Sequence, residues 1–440
     1  MHIGAVMLFD GKAPSKGEFA RHLGSRLHLV PRYRQKLAVP RLELGRPLWI
    51  DDPSFNIEYH VRHTALPAPG SEEQLRRLTA RIFSQRLDRT KPLWELWLVE
   101  GLEGGKFALI NKTHHSLVDG ISGVDVTAVI LDLEREPAEA PTDDDWLPAP
   151  EPSGAGVAAA GVRDLAKAPF GLAGRALGAL RSPRQSLAGA REAAQGVAEF
   201  GWGFINSPPE TPLNVTIGPH RRVAWVRTGL DELKAIKNGL GGTVNDVFLA
   251  AVSGALAEWL RSHGVRTEGL ELRGCVPVSV RSEDERGALG NKITMMACPL
   301  PVYAGEPEVR LRIVSEAMQG LKESKQAMGA EVIAGLQDFA PPTIFAQASR
   351  LNFSSRIYNL LVTNVPGPQF PLYLLGQEME TMFPVPFLAL DKALAIAIFS
   401  YNGTVNIGLM GDYDAIPDLD LIAALIEEEI GRLGKAAAAS

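Results

Sequence analysis

The chain has 440 residues, 45% hydrophobic and 22% charged, a globular composition with room for two domains of ordinary size. Its 45 basic and 51 acidic side chains leave a formal charge of −6, which argues against nucleic acid as a partner. With only Cys275 and Cys298, a disulfide framework is excluded and a reducing compartment fits.

From the N-terminus, Met1 to Phe9 predicts a strand closed by Asp10-Gly11, without the basic leader of a signal peptide. Glu18 to Leu29 predicts a helix, broken at Pro31. Alternation of Phe55, Ile57, Tyr59 and Val61 predicts a strand over Phe55 to His63, with His60 and His63 as ordinary strand residues. Glu72 to Leu87 reads as an amphipathic helix. Pro92-Leu93-Trp94 opens a strand to Glu100, whose Trp94 and Trp97 suit core packing.

Phe107 to Thr113 is again apolar and β-branched, a strand without Pro or Gly. Gly120 and Gly123 break it, and from Val124 the apolar residues recur at the helical period. His114, His115 and Asp119 therefore fall where a strand gives way to a helix, a place where a rigid scaffold presents chemistry to a cleft. Adjacent residues on extended chain point to opposite sides, so one histidine faces a cleft while the other faces packing. An unperturbed imidazole titrates near ~6.5, so a neutral one takes a proton from a hydroxyl at cellular pH. Asp119, followed by Gly120, suits either orienting a histidine or pairing with an arginine to lock the loop.

From Glu134 the composition shifts. Pro137, Pro141, Pro148, Pro150 and Pro152 mark a linker with an acidic tract at Asp143-Asp144-Asp145. Between Gly161 and Phe200, six basic residues stand against three acids. That surplus suits amphipathic helices on an anionic membrane or lipid droplet, or equally a crossover tying two domains together. No apolar run is long enough to span a bilayer, so any membrane contact is expected to be peripheral.

The second half restarts at Thr211, with a strand over Arg221 to Gly229 and a helix over Leu230 to Gly239. Thr243, with Asp246 three residues on, resembles a capping box opening a helix to about His263. That accounts for Asp246 and less well for Asn245. Strands follow over Glu271 to Val280, ending at Arg281, and from Gly290-Asn291 to Pro299. Helices are predicted over Pro307 to Met328, Glu331 to Phe339 and Pro342 to Tyr358. Asn359 to Asn364 reads as a strand cut by Val365-Pro366. Leu394 to Ser400 and Val405 to Met410 form a hairpin around Asn402-Gly403, and Asp418 to Leu433 is the last helix. The apolar stretches Leu360 to Val362 and Met382 to Leu390 suit a lipid tunnel and equally a core.

His114-His115-Ser116-Leu117-Val118-Asp119-Gly120 resembles the HHxxxDG signature of the CoA-dependent acyltransferase superfamily, which includes chloramphenicol acetyltransferase and peptide-synthetase condensation domains. The extended form HHSLVDGISG resembles the bacterial wax ester synthase/diacylglycerol acyltransferase family. Pro92-Leu93-Trp94, Asn245-Asp246, Pro277-Val278-Ser279-Val280-Arg281, Asn364-Val365-Pro366-Gly367-Pro368 and Ser400-Tyr401-Asn402-Gly403 agree, in that family's order. Thr363 stands where the family commonly has Ser, keeping the hydroxyl. Family members usually carry a short lead segment before the first strand, and none precedes Met1 here.

The resemblance implies an α/β (α+β) fold of two chloramphenicol-acetyltransferase-like domains, each a mixed sheet flanked by helices, with a channel between them. The division is expected at residues 1–136, a crossover at 137–210, and residues 211–440. It implies an O-acyltransferase moving a long-chain acyl group from acyl-CoA to diacylglycerol, a long-chain alcohol or both. His115 would be the general base and His114 structural. Asp119 would pair with Arg281, Gly120 would turn the loop, and Asn245 or a backbone N–H would reach the oxyanion. Such chemistry moves one proton, so no cofactor, metal or acyl-enzyme is needed. The expected setting is the cytoplasm, at the inner membrane or a lipid droplet, as monomer or homodimer.

Three other readings stay open. A metal hydrolase would use His114, His115 and Asp119, though adjacent strand histidines point apart and the other seven histidines show no ligand spacing. A non-catalytic lipid-droplet or membrane-surface protein would use residues 154–206 and not need His115. A member of the same superfamily would act on a different alcohol.

Overall fold

Strands β1 (His2–Phe9) and β6 (Lys106–His114) lie antiparallel at the middle of the first sheet. β1 is a nearly continuous apolar run and β6 carries one over Phe107–Ile110, as strands covered on both faces do. Met7, Phe9, Phe107 and Leu109 face one core, while Val6, Leu8, Ala108 and Ile110 face another. The computed structural model describes residues 1–39, 47–117, 129–136, 146–151, 208–279, 293–323 and 357–439.

Around this pair stand β4 (Val61–Ala65), β5 (Trp94–Leu102), β11 (Tyr373–Leu374) and β12 (Gln377–Val385). The order is β11-β12-β1-β6-β5-β4, with only β4 and β5 parallel. The second sheet holds β7 (Arg221–Gly229), β8 (Leu272–Ser279), β9 (Ile293–Leu300), β10 (Leu360–Pro366), β13 (Leu394–Tyr401) and β14 (Thr404–Asp412). Its order is β7-β14-β13-β10-β8-β9, parallel at β13, β10 and β8. A ribbon of β2 (Gln35–Ala38) and β3 (Leu48–Asp51) stands apart. The helices are α1 (Lys16–Gly24), α2 (Ile57–His60), α3 (Glu72–Ser84), α4 (Leu230–Leu240), α5 (Val244–Ser262), α6 (Pro307–Glu323) and α7 (Leu419–Ala439).

Several elements depart from the pattern reading, each for a local reason. Asn56 accepts from the Glu58 N–H at 2.9 Å, which caps α2 and coils the first half of the alternating stretch. The strand therefore starts only at Val61. The helix read over Glu18 to Leu29 starts at Lys16, under a Ser15–Glu18 capping box, and ends at Gly24; Leu27–Leu29 is a separate 3₁₀ turn. β10 runs on through Pro366, because beyond Leu361 it pairs, among the described residues, with β13 alone and one side of the strand needs no donor. The helices read over 331–339 and 342–356, and the crossover over 137–145 and 152–207, lie outside the described residues.

The pattern reading leaves β12 unassigned. It belongs to the second half by position, yet pairs along β1, with Gly4 opposite Val385 and Met7 opposite Met382. The pairing thus crosses the sequence division at 211. Met379, Thr381, Phe383 and Val385 are buried in alternation, and Leu375 and Gly376 turn β11 into β12 at φ of 49° and 83°.

A shared core joins the sheets, with Val6, Ile110 and Phe83 from one side and Trp225, Leu361 and Met410 from the other. The backbones come close at Gly408, where a Cβ would sit 1.7 Å from the Pro384 carbonyl oxygen. Nearby, the buried Thr381 hydroxyl donates to Asn406 Oδ1 at 2.9 Å. We expect Gly408→Ala to lose about 3 kcal/mol, as overpacking does, read as a lower urea midpoint.

Helix α5 is apolar round its whole circumference and is the central helix of the second core. On its surface Gly254 leaves room for a buried ion pair between α6 and α7. Arg310 Nη2 meets Glu429 Oε2 at 2.8 Å, and both residues are 3% exposed. A Cβ at Gly254 would lie 2.3 Å from that carboxylate. Among the described residues no single helix is long and apolar enough to cross a membrane.

Candidate active site

β6 runs out at the two histidines. The His114 N–H donates to the Leu93 carbonyl at 2.9 Å and the His115 N–H to the Met1 carbonyl at 3.0 Å. A 3₁₀ turn, His115–Leu117, follows. Both rings are thus carried on a strand end gripped by its neighbours.

The rings do different things. His114 Nδ1 accepts from the Ser116 N–H at 3.2 Å and the Ser116 hydroxyl at 2.7 Å. The proton of the neutral ring is therefore on Nε2. Burial pushes the His114 pKa down to about 4. His115 stands edge-on to Phe387, ring centres 5.3 Å apart at 72°. Burial lowers its pKa too, and the nearness of its own backbone acts the other way. Among the described residues no side chain or N–H group hydrogen-bonds this ring.

Beside this strand end opens a cavity of about 880 Å³ between the two halves. Leu87, Leu93 and His114 line it from one side; Ile217, Phe387 and Met410 line it from the other. His115 is not among the lining residues; its ring partner Phe387 is.

Lys112, two residues earlier, escapes a pattern reading. Its buried ammonium donates to the carbonyls of Ile82 at 2.8 Å and Gln85 at 2.7 Å. It thereby ties the C-terminus of α3 to β6, as a cation at a helix C-terminus should. Burial pushes its pKa down to about 8. The one signal was a charge inside an otherwise buried strand.

Asn245 and Asp246 open α5. Thr243 and Asp246 make a full capping box, with Thr243 N to Asp246 Oδ2 at 2.8 Å and Asp246 N to Thr243 Oγ1 at 3.2 Å. Asp246 is 3% exposed, and its Oδ1 has no hydrogen-bond partner. Asn245 Oδ1 accepts from Asn364 Nδ2 on β10 at 3.1 Å. Neither residue lines the cavity. Asp119, Gly120 and Arg281 lie outside the described residues. Among the described residues no group of three His, Cys, Asp or Glu is placed to hold a metal ion. Cys275 and Cys298 are free and buried, and burial pushes both thiols up to about 12.

Residues 1–248 match the wax ester synthase/diacylglycerol acyltransferase catalytic domain, and residues 289–434 match the WS/DGAT C-terminal domain. The chain belongs to the wax ester synthase/diacylglycerol acyltransferase family. It is 32% identical over 433 residues to the Mycobacterium tuberculosis (strain ATCC 25618 / H37Rv) protein named "Probable diacylglycerol O-acyltransferase tgs1", covering 98% of this chain and 90% of that one. The solved wax ester synthase/diacylglycerol acyltransferase of Marinobacter aquaeolei VT8 superposes with a TM-score of 0.68 at 26% identity, over 100% of this chain and 95% of that one. The first condensation domain of the CDA synthetase shares the fold, with a TM-score of 0.57 at 17% identity over 99% and 91% of the two chains. As a member of the WS/DGAT family the chain is an O-acyltransferase, built on the two-sheet fold that the condensation domains share.

Proposed function

We propose that the protein transfers a long-chain acyl group from acyl-CoA to the hydroxyl of diacylglycerol or a long-chain alcohol, with His115 as general base. The observation that carries this is the His115 ring: its pKa is lowered by burial, and it stands edge-on to Phe387, which lines the cavity between the halves. The names of its relatives support the same acyl acceptors.

The His115 ring takes the proton of the acceptor hydroxyl while the oxygen attacks the thioester carbon. The tetrahedral oxyanion collapses, the C–S bond breaks, and the imidazolium returns the proton to the leaving thiolate. Asn245, held by Asn364 at the start of α5, is our candidate for the oxyanion donor through its amide NH₂, since its Oδ1 is already engaged. Arg281 and Asp119 are assigned to hold the loop. His114 is assigned to structure, because Ser116 occupies its Nδ1. The protein is proposed to work against a membrane or lipid-droplet surface, where its acceptors reside.

The test is product analysis: palmitoyl-CoA offered with a diacylglycerol or with hexadecanol, and the lipids separated by thin-layer chromatography. Triacylglycerol or wax ester is expected; free palmitate alone would sink the proposal.

A lowered pKa also sets the pH response. The base works unprotonated, so depression of the His115 pKa keeps it active further into acid. The acid limb of kcat/KM, which reports the free enzyme, should fall below the ordinary histidine value of ~6.5. A limb at or above that value contradicts the assignment.

A further inference from the structure

The connection from α3 to β5 carries Arg86 and Arg89, and both line the cavity that His114 lines. Both are exposed, and among the described residues neither has an ion-pair or hydrogen-bond partner. The acid between them, Asp88, makes no ion pair with either among the described residues. Asp88 Oδ1 accepts from the Thr90 N–H at 2.9 Å and the Thr90 hydroxyl at 2.7 Å. Arg221, across the opening, is committed elsewhere. Its Nη1 donates to the Gly218 carbonyl at 2.7 Å and the His220 carbonyl at 2.8 Å, and lies 3.6 Å from Asp412 Oδ2. The described lining residues include no Asp or Glu.

Two guanidiniums without an ion-pair partner among the described residues thus line a cavity in a protein whose net charge is −6. A guanidinium fork matches phosphate oxygens two at a time, and a charged mouth draws in ligands of opposite sign. The place is also fixed. The bonds from Lys112 to Ile82 and Gln85 lock the residue before Arg86 to β6, close to His114. Diacylglycerols and fatty alcohols carry no phosphate, so this mouth distinguishes donor from acceptor.

We infer that Arg86 and Arg89 dock the phosphate groups of the acyl donor, so that acyl-CoA enters by this opening with its thioester toward the His114–His115 strand end. The inference rests on the function proposed above and adds the site and side of donor entry.

The experiment compares the full chain with Arg86→Ala, Arg89→Ala, the double variant and Arg89→Lys. Each is given palmitoyl-CoA or palmitoyl-pantetheine, which has the same thioester without the nucleotide. The ratio of kcat/KM for the two donors should fall about ten- to a hundredfold in the double variant, through KM for palmitoyl-CoA, as loss of charged hydrogen bonds predicts. Lysine should restore part of it. An unchanged ratio overturns the inference, and more firmly if the double variant also loses flotation on phosphatidylglycerol vesicles, which would assign the arginines to a membrane. Calorimetric titration with CoA itself separates this from the parent reading. Wild-type protein that binds CoA through these arginines yet forms no ester removes the acyl-transfer reading and keeps the clamp. Ester formation with an unchanged donor ratio removes the clamp alone.

Discussion

His115→Ala loses ester formation by at least the ~10²–10⁴-fold that a positioned base supplies, with its fold and unfolding midpoint unchanged. Its ring packs edge-on against Phe387, and among the described residues no side chain hydrogen-bonds it, so removing it leaves no polar partner stranded there. Initial rates with palmitoyl-CoA, beside circular dichroism, check both halves of the statement. His114→Ala should behave differently. It strips the Ser116 hydroxyl and N–H of their acceptor and loosens the turn that carries His115, so part of the activity survives and thermal stability falls. Full activity in His115→Ala would remove this residue from the mechanism.

Glu429→Ala should cost about 3–5 kcal/mol, the usual penalty for stranding one partner of a buried ion pair. Arg310 is left among α5, α6 and α7 with the Ala304 carbonyl, at 3.3 Å, as its remaining partner of those seen. Urea denaturation reads the loss. Replacing both partners together, Arg310→Met with Glu429→Leu, should recover most of it, because an apolar pair of similar volume needs no compensation. A double variant as unstable as the single one would show that the helices depend on something other than charge pairing.

Much of this architecture is legible in the residues. β1 and the Phe107–Ile110 part of β6 announce themselves as apolar runs, the Thr243–Asp246 box marks the start of α5, and Asn402-Gly403 sets the β13–β14 hairpin. What escapes is governed by distant partners or by one local bond. The alternation of β12 is present, but only its pairing with β1 shows which sheet it joins. The stretch from Phe55 looks extended until Asn56 caps it. At the site, the residue types of HHxxxDG are plain in the sequence. The division of labour between the rings is not, since it depends on Ser116 and Phe387. Arg86 and Arg89 look like ordinary surface charges until folding brings them to one cavity wall.

The late return of β12 to β1 also governs how the protein is made. A ribosome adding ~5–20 residues per second needs roughly half a minute between completing Phe9 and completing Val385. Throughout that interval the flank of β1 that β12 will occupy exposes unpaired amides, a template for any passing nascent strand. Crowded polysomes, or fragments ending before Gln377, are therefore where this protein should aggregate, and a chaperone that shields that flank would raise its yield.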